Sequence, residues 1–173
     1  EINTQESRLA GLVAASTGSP VPADVGAARS ASIARATAAA NFSEGSIVRV
    51  RGIRVHEVIA DDLEGLLSAA AAEGITFSGW GYRSVASQIS LRRQHCGTSD
   101  FAIYVQRSST CSPPTATPGN SMHERGLAID FTYNGRIIGS RSGPAWAWLR
   151  DNAASYGLYN LPSEPWHWST SGG

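Results

Sequence analysis

Residues 127–133, Leu-Ala-Ile-Asp-Phe-Thr-Tyr, read as a strand, and Asn134-Gly135 follows it directly. Asn-Gly between two such runs is a strong hairpin signal, because both residues tolerate the positive φ of a tight reversal. The chain is therefore expected to return through Arg136-Ile137-Ile138, which commits it to an antiparallel sheet. Asp130 stands between Ile129 and Phe131 in this strand. Burying a carboxylate is costly unless its charge is compensated. A divalent cation would compensate it; a capping role or an arginine partner would also account for it.

Other segments supply the remaining elements. Ile47-Val48-Arg49-Val50 and Ile53-Arg54-Val55-His56 read as short strands around Arg51-Gly52. Asp61 and Glu64 form a capping-box pair for a helix with Leu63, Leu66 and Leu67 at helical spacing, ended by Gly74. Ile75-Thr76-Phe77 resumes as a strand and leads into Gly79-Trp80-Gly81-Tyr82-Arg83-Ser84. Ser84 is a good N-cap for a helix reaching about Gln94, with Val85 and Ile89 facing inward. Gly143-Pro144 opens another helix, Gly157 closes it, and a last strand contains Trp166-His167-Trp168. Strands and helices mixed with tight hairpins predict an α+β fold, a small antiparallel sheet with flanking helices, rather than a doubly wound one.

The 173 residues suit one compact domain with a helical extension. In the Ala/Ser-rich residues 1–42, Asn3 and Glu6 cap a short helix through Leu9, Leu12 and Val13. Ser19-Pro20-Val21-Pro22 breaks it, and Asp24 starts a second helix towards Ala40. Neither could be stable alone, so residues 1–44 are expected to form an extension or linker and residues 45–173 the main domain. A formal net charge of zero offers nothing to a polyanion, which argues against a nucleic-acid partner. No apolar run approaches the ~20 residues of a membrane span. The chain begins at Glu1 rather than Met, as a processed or trimmed product would. Cys96 and Cys111 lie fifteen positions apart in a polar stretch, a spacing that reads better as a loop-closing disulfide than as a metal-binding pair. Two reduced, unrelated thiols are the alternative. A disulfide would place the chain outside the cytoplasm.

Two stretches concentrate residues able to hold a metal or move a proton. His123 lies in Ser121-Met122-His123-Glu124-Arg125-Gly126, just ahead of the strand that carries Asp130. Glu164-Pro165-Trp166-His167-Trp168 sets a second histidine between two aromatics, three residues after a carboxylate. Two histidines and one aspartate on separate elements leave a fourth tetrahedral position for water. Zinc there would acidify that water, and a nearby carboxylate such as Glu164 would move its proton. Taken singly, His123 could be a surface loop residue and His167 a packed histidine. An H-E-x-x-H motif starting at His123-Glu124 fails, because its fifth position is Leu127.

Ser-x-His-x-x-Gly-x-Ala-x-Asp at 121–130 and Glu-Pro-Trp-His-Trp at 164–168 together resemble the two signatures of VanY-type D-alanyl-D-alanine carboxypeptidases. That family is grouped with the D,D-dipeptidases and the Hedgehog fold. Gly81-Tyr82-Arg83-Ser84, followed by Gln88, resembles the family's third block, and the resemblance covers about residues 45–170. It implies a Hedgehog/D,D-peptidase-like fold, with Zn2+ held by His123, Asp130 and His167. It makes Glu164 the catalytic base and then acid. Arg83 corresponds to the arginine that stabilises a developing oxyanion, a role that suits a fixed guanidinium; a structural ion pair is the alternative. Ser121 and Gln88 match substrate-contacting positions, although either could be a loop or helix cap. Tyr82, Trp166 and Trp168 are expected to wall the site, or simply to pack. His56 and His95 match no ligand position and are expected to be structural or surface residues.

The implied activity is removal of the terminal D-alanine of peptidoglycan stem peptides by metal-activated water, in a monomeric, extracytoplasmic protein. L,D-carboxypeptidases, D,D-dipeptidases and wall endopeptidases share the ligand set, so the motifs do not separate them; the loop at 96–120 is expected to. A non-catalytic, zinc-containing wall-binding module is the remaining class, and it would have no need of Glu164.

Overall fold

The computed structural model describes residues 23–43 and 45–173. Its elements run α1 (Ala23–Ser43), β1 (Ile47–Val50), β2 (Ile53–His56), α2 (Ala60–Ala72), β3 (Phe77–Trp80), α3 (Val85–His95) and α4 (Asp100–Tyr104). There follow β4 (Ala128–Tyr133), β5 (Arg136–Ile137), α5 (Pro144–Asn152), β6 (Tyr159–Asn160) and β7 (His167–Ser169), with short 3-10 turns between. The helix expected around Leu9 lies outside the described residues. Among those described, every strand pairing is antiparallel, and the α+β expectation holds. The chain divides into two compact units.

One unit comprises Ser43–Tyr82 and Arg125–Gly173. Arg51 and Gly52 take φ of 44° and 91°, turning β1 back as β2. A 3-10 turn, Glu57–Ile59, then runs straight into α2. This corrects the expected capping box: Asp61 falls inside the first helical turn, and Glu64 bonds Arg51 instead. At the other end Gly74 takes φ 80° and the Ile75 N–H donates to Ala70 O, 2.9 Å, the wiring of a Schellman cap. That bond removes Ile75 from the sheet, so β3 begins at Phe77 and runs further than expected, to Trp80. The larger sheet has the order β3-β4-β7-β6, with β5 hairpinned onto β4 through Asn134 and Gly135, both at positive φ.

Period-two alternation sorts the two faces of that sheet. The cross-strand pairs Phe77↔Tyr133, Gly79↔Phe131 and Ile129↔Trp168 share one face. Phe77, Ile129, Phe131 and Trp168 there belong to a core with Leu63, Leu66 and Leu67 of α2 and Trp148 and Leu149 of α5. Phe77 sits 5.5 Å from Phe131 and 5.8 Å from Trp148, ring to ring. Burying each such side chain contributes about 1.5–3 kcal/mol. The opposite face carries Ser78↔Thr132, Trp80↔Asp130, Asp130↔His167 and Ala128↔Ser169.

The other unit joins the described residues up to Phe42 with Arg83–Glu124. Its apolar cluster is small: Ala36, Val85, Ile89, Ile103 and Tyr104. Ser84 caps α3 as expected, its Oγ accepting from Ser87 N at 3.2 Å. A disulfide joins Cys96 and Cys111. Within the stretch expected to be loop, Ser99 caps α4, a helix too short to show a periodic signal. Arg92, fully buried, donates to Ile103 O (3.0 Å), Gln106 O (2.8 Å), Thr115 O (2.5 Å), Ala102 O and Cys111 Sγ (3.3 Å). Helix α1 contributes Arg29, whose Nη1 is 3.0 Å from Asp100 Oδ2, and Ser32, whose hydroxyl donates to Pro118 O at 3.0 Å. Gly119, at φ 83°, lies against the backbone of Arg35 and Ala36, where a Cβ would not fit.

Candidate metal centre

Asp130 and His167 face each other because β4 and β7 pair in the register that makes them partners. His167 Nδ1 lies 3.0 Å from Asp130 Oδ1. His123 sits on the 3-10 turn Met122–Arg125 and is 3% exposed. The ligand atoms offered by His123, Asp130 and His167 all lie within 4.8 Å of one another. Two imidazoles and a carboxylate, largely withdrawn from water, are a donor set that fits a divalent, nitrogen-accepting cation.

The turn bearing His123 is built by its own capping box. Glu124, 1% exposed, accepts from Gly119 N (2.9 Å) and Ser121 N (3.3 Å) through Oε2, while Ser121 Oγ accepts from His123 N at 3.3 Å. Ser-x-x-Glu is a legible capping signal, and the sequence reading passed over Glu124. Gly126 then takes φ 70°, and a Cβ on it would lie 2.7 Å from His56 N. Only glycine serves there, and Gly126 O accepts from that same N–H at 2.9 Å.

Glu164 opens a turn that His167 N closes onto Glu164 O at 3.1 Å, with Pro165 at the second position. Asn160, which the sequence reading did not single out, braces this turn: its Nδ2 donates to Glu164 O and His167 O, both 2.9 Å, and to Pro165 O at 3.4 Å. Arg83 is tied by its backbone N–H to His123 O, 3.0 Å, and by Nη1 to Gln88 Oε1, 2.9 Å. Tyr82 donates its N–H to Arg54 O at 2.6 Å, and its ring lies beneath the Arg54 guanidinium.

Of the two tryptophans expected to wall the site or to pack, Trp168 is buried and Trp166 half-buried. Trp168 points into the core, because it alternates with His167, and its Nε1 donates to Pro165 O at 3.2 Å. Trp166 packs on the same core, and its carbonyl accepts from Phe131 N at 2.9 Å. Trp80, by contrast, shares the sheet face of Asp130 and His167 and is 63% exposed. His56 caps the turn at Glu57–Ile59, and His95 bonds Thr115 Oγ1 at 2.8 Å, so both have structural partners.

A D-alanyl-D-alanine carboxypeptidase of Enterococcus faecalis is 27% identical over 131 residues, 68% of this chain. The chain spans about half, 48%, of that relative's length. Among solved structures, a mutant of the vancomycin-resistance D,D-pentapeptidase VanY in complex with Zn(II) matches with a TM-score of 0.53 at 24% identity, covering 73% of this chain and 79% of that one. The LD-carboxypeptidase LdcB matches with a TM-score of 0.57 at 24% identity, covering 75% and 70%. These two likenesses establish a shared fold. The family model described as VanY, D-alanyl-D-alanine carboxypeptidase, matches residues 52–172, well over half the sequence, and it is to this family that the chain belongs.

Proposed function

We propose that the chain is a zinc-dependent carboxypeptidase that removes the terminal D-alanine from peptidoglycan stem peptides. The observation that carries this reading is the buried group of His123, Asp130 and His167 within a VanY-family sequence. These three would hold zinc. When bound, the ion makes a water acidic enough to lose a proton near neutral pH and polarises the scissile carbonyl. Glu164 takes the proton of the attacking water and returns it to the leaving amine as the C–N bond breaks. The products are a shortened peptide carboxylate and free D-alanine. The Arg83 guanidinium offers N–H donors to the carbonyl oxygen as negative charge develops on it. Ser121, Tyr82 and Trp166, with the exposed indole of Trp80, supply contacts to the peptide.

The disulfide supports an extracytoplasmic site of action. No helix among the described residues is long and apolar enough to cross a membrane. We keep residues 45–173 as the peptidase domain and residues 1–44 as its extension.

The deciding experiment incubates the purified, zinc-loaded protein with a stem pentapeptide and weighs the products. Loss of one D-alanine is expected. In parallel incubations, cleavage of free D-alanyl-D-alanine but not of the pentapeptide moves the protein to the D,D-dipeptidases, and cleavage of a stem tetrapeptide alone moves it to the L,D-carboxypeptidases. Zinc binding without any product makes it a wall-binding module. Glu164→Gln should retain zinc and lose about 100- to 10,000-fold in turnover, whereas His167→Ala should lose the metal itself.

A further inference from the structure

Gln88 stands at a position that the motif resemblance assigns to substrate. Its side chain is 1% exposed, and both ends of the amide are engaged by the protein. Oε1 accepts from Arg83 Nη1 at 2.9 Å, and Nε2 donates to Ala116 O at 2.7 Å. The orientation is fixed by chemistry, since Arg83 only donates and a carbonyl only accepts. A flipped amide would set donor against donor and acceptor against acceptor at once.

Ala116 O is itself held in place. The preceding residue is gripped twice, by Arg92 Nη1 on Thr115 O (2.5 Å) and by His95 Nδ1 on Thr115 Oγ1 (2.8 Å). Two residues on, Pro118 O accepts from Ser32 Oγ at 3.0 Å. The disulfide between Cys96 and Cys111 anchors the chain four residues ahead of Thr115. From this geometry we infer that Gln88 is a positioning residue for Arg83. It transmits the fixed position of the 115–118 segment to the guanidinium. Being neutral, the amide orients the guanidinium without itself cancelling its charge. The inference rests on the proposed role of Arg83 in the reaction.

A double-mutant cycle on the zinc-loaded enzyme tests it. Gln88→Leu should lower kcat about 10- to 100-fold, the scale of a misplaced reacting group. Its KM should stay within about threefold, because uniform substrate binding is untouched. In an Arg83→Ala background, Gln88→Leu should add less than about twofold, since the two residues act as one unit. Gln88→Asn, polar and smaller by one methylene, withdraws the acceptor from Arg83 and should reproduce the kcat loss if the leucine variant does not fold. A raised KM at unchanged kcat, or full multiplication of the two effects, would make Gln88 an independent substrate contact and overturn the proposal. If Arg83→Ala alone left kcat/KM unchanged, the role of Arg83 would fall first, and that outcome is read from a different arm of the cycle.

Discussion

Each unit is held together internally by its own kind of force. In the sheet unit, four residues of one face, Phe77, Ile129, Phe131 and Trp168, meet the leucines of α2 and the aromatic side of α5. Among the described residues of the helical unit, the buried apolar cluster is five residues, two of them no larger than valine. There a disulfide, one buried guanidinium and a set of backbone carbonyls do what apolar area does in the other. The first arrangement is tolerant and non-directional. The second is directional: each bond depends on one geometry, and the covalent link depends on the redox state of the surroundings.

The sharpest way to break this contrast is to attack each unit with the perturbation that should hurt the other least. Phe131→Ala empties a fully buried ring site and should cost about 3–5 kcal/mol in denaturant unfolding. A cost below about 1 kcal/mol would mean that the sheet face is not the main core. Reduction of the Cys96–Cys111 bond should cost about 3 kcal/mol, as expected for a crosslink closing a loop of this length. Hydrogen exchange should locate that loss in residues 83–124 and leave the protection of β4 unchanged. Free-thiol titration of the denatured, unreduced protein should find no reactive cysteine. Arg92→Lys keeps the charge, but a single ammonium cannot reach every carbonyl that the guanidinium serves. A loss of about 1–3 kcal/mol is expected, measured by the same denaturant series.

The smallest effect is expected at the exposed pair Arg51–Glu64. The hydrogen bond from Arg51 holds the Glu64 carboxyl below its ordinary value of 4.5. A depressed carboxyl stabilises the fold above that value, and the contribution fades as pH falls through the folded value. Solvent screens the pair. Thermal melts of Glu64→Gln should therefore trail the wild type barely at pH 7, and the two should coincide in acid.

The same contrast explains what could be read in advance. The hairpin at Asn134-Gly135, the α2 leucines and the Ser84 cap are local signals, and each led to the right element. Asp130 drew notice because an apolar strand is a costly place for a carboxylate. The sequence leaves Trp168 between the wall of the site and the core, because three aromatic and imidazole side chains in a row carry no alternation of hydrophobicity to mark their faces. Helix α4 is a single five-residue stretch and leaves no period to detect. Long-range hydrogen bonds were invisible for a simpler reason: nothing at Gln88 or Asn160 announces which carbonyl, many residues away, it will meet. Glu124 is legible as a capping partner of Ser121, since Ser-x-x-Glu is a local signal of the same kind.

Asp130 also has a consequence for how the chain finds its fold. Strands can mispair by one residue, and such a slip turns every side chain of β4 to the opposite face. The slipped sheet would press the Asp130 carboxylate among Phe77, Leu66 and Trp148 and push Ile129 and Phe131 outward. Burying that charge without a partner is prohibitive, whereas an alanine or valine at 130 would leave the two registers much closer in energy. The carboxylate that faces His167 in the native pairing thus also acts as a proofreader of strand alignment. A chain stripped of it should fold with more misaligned and aggregation-prone species, even where no metal is present to miss it.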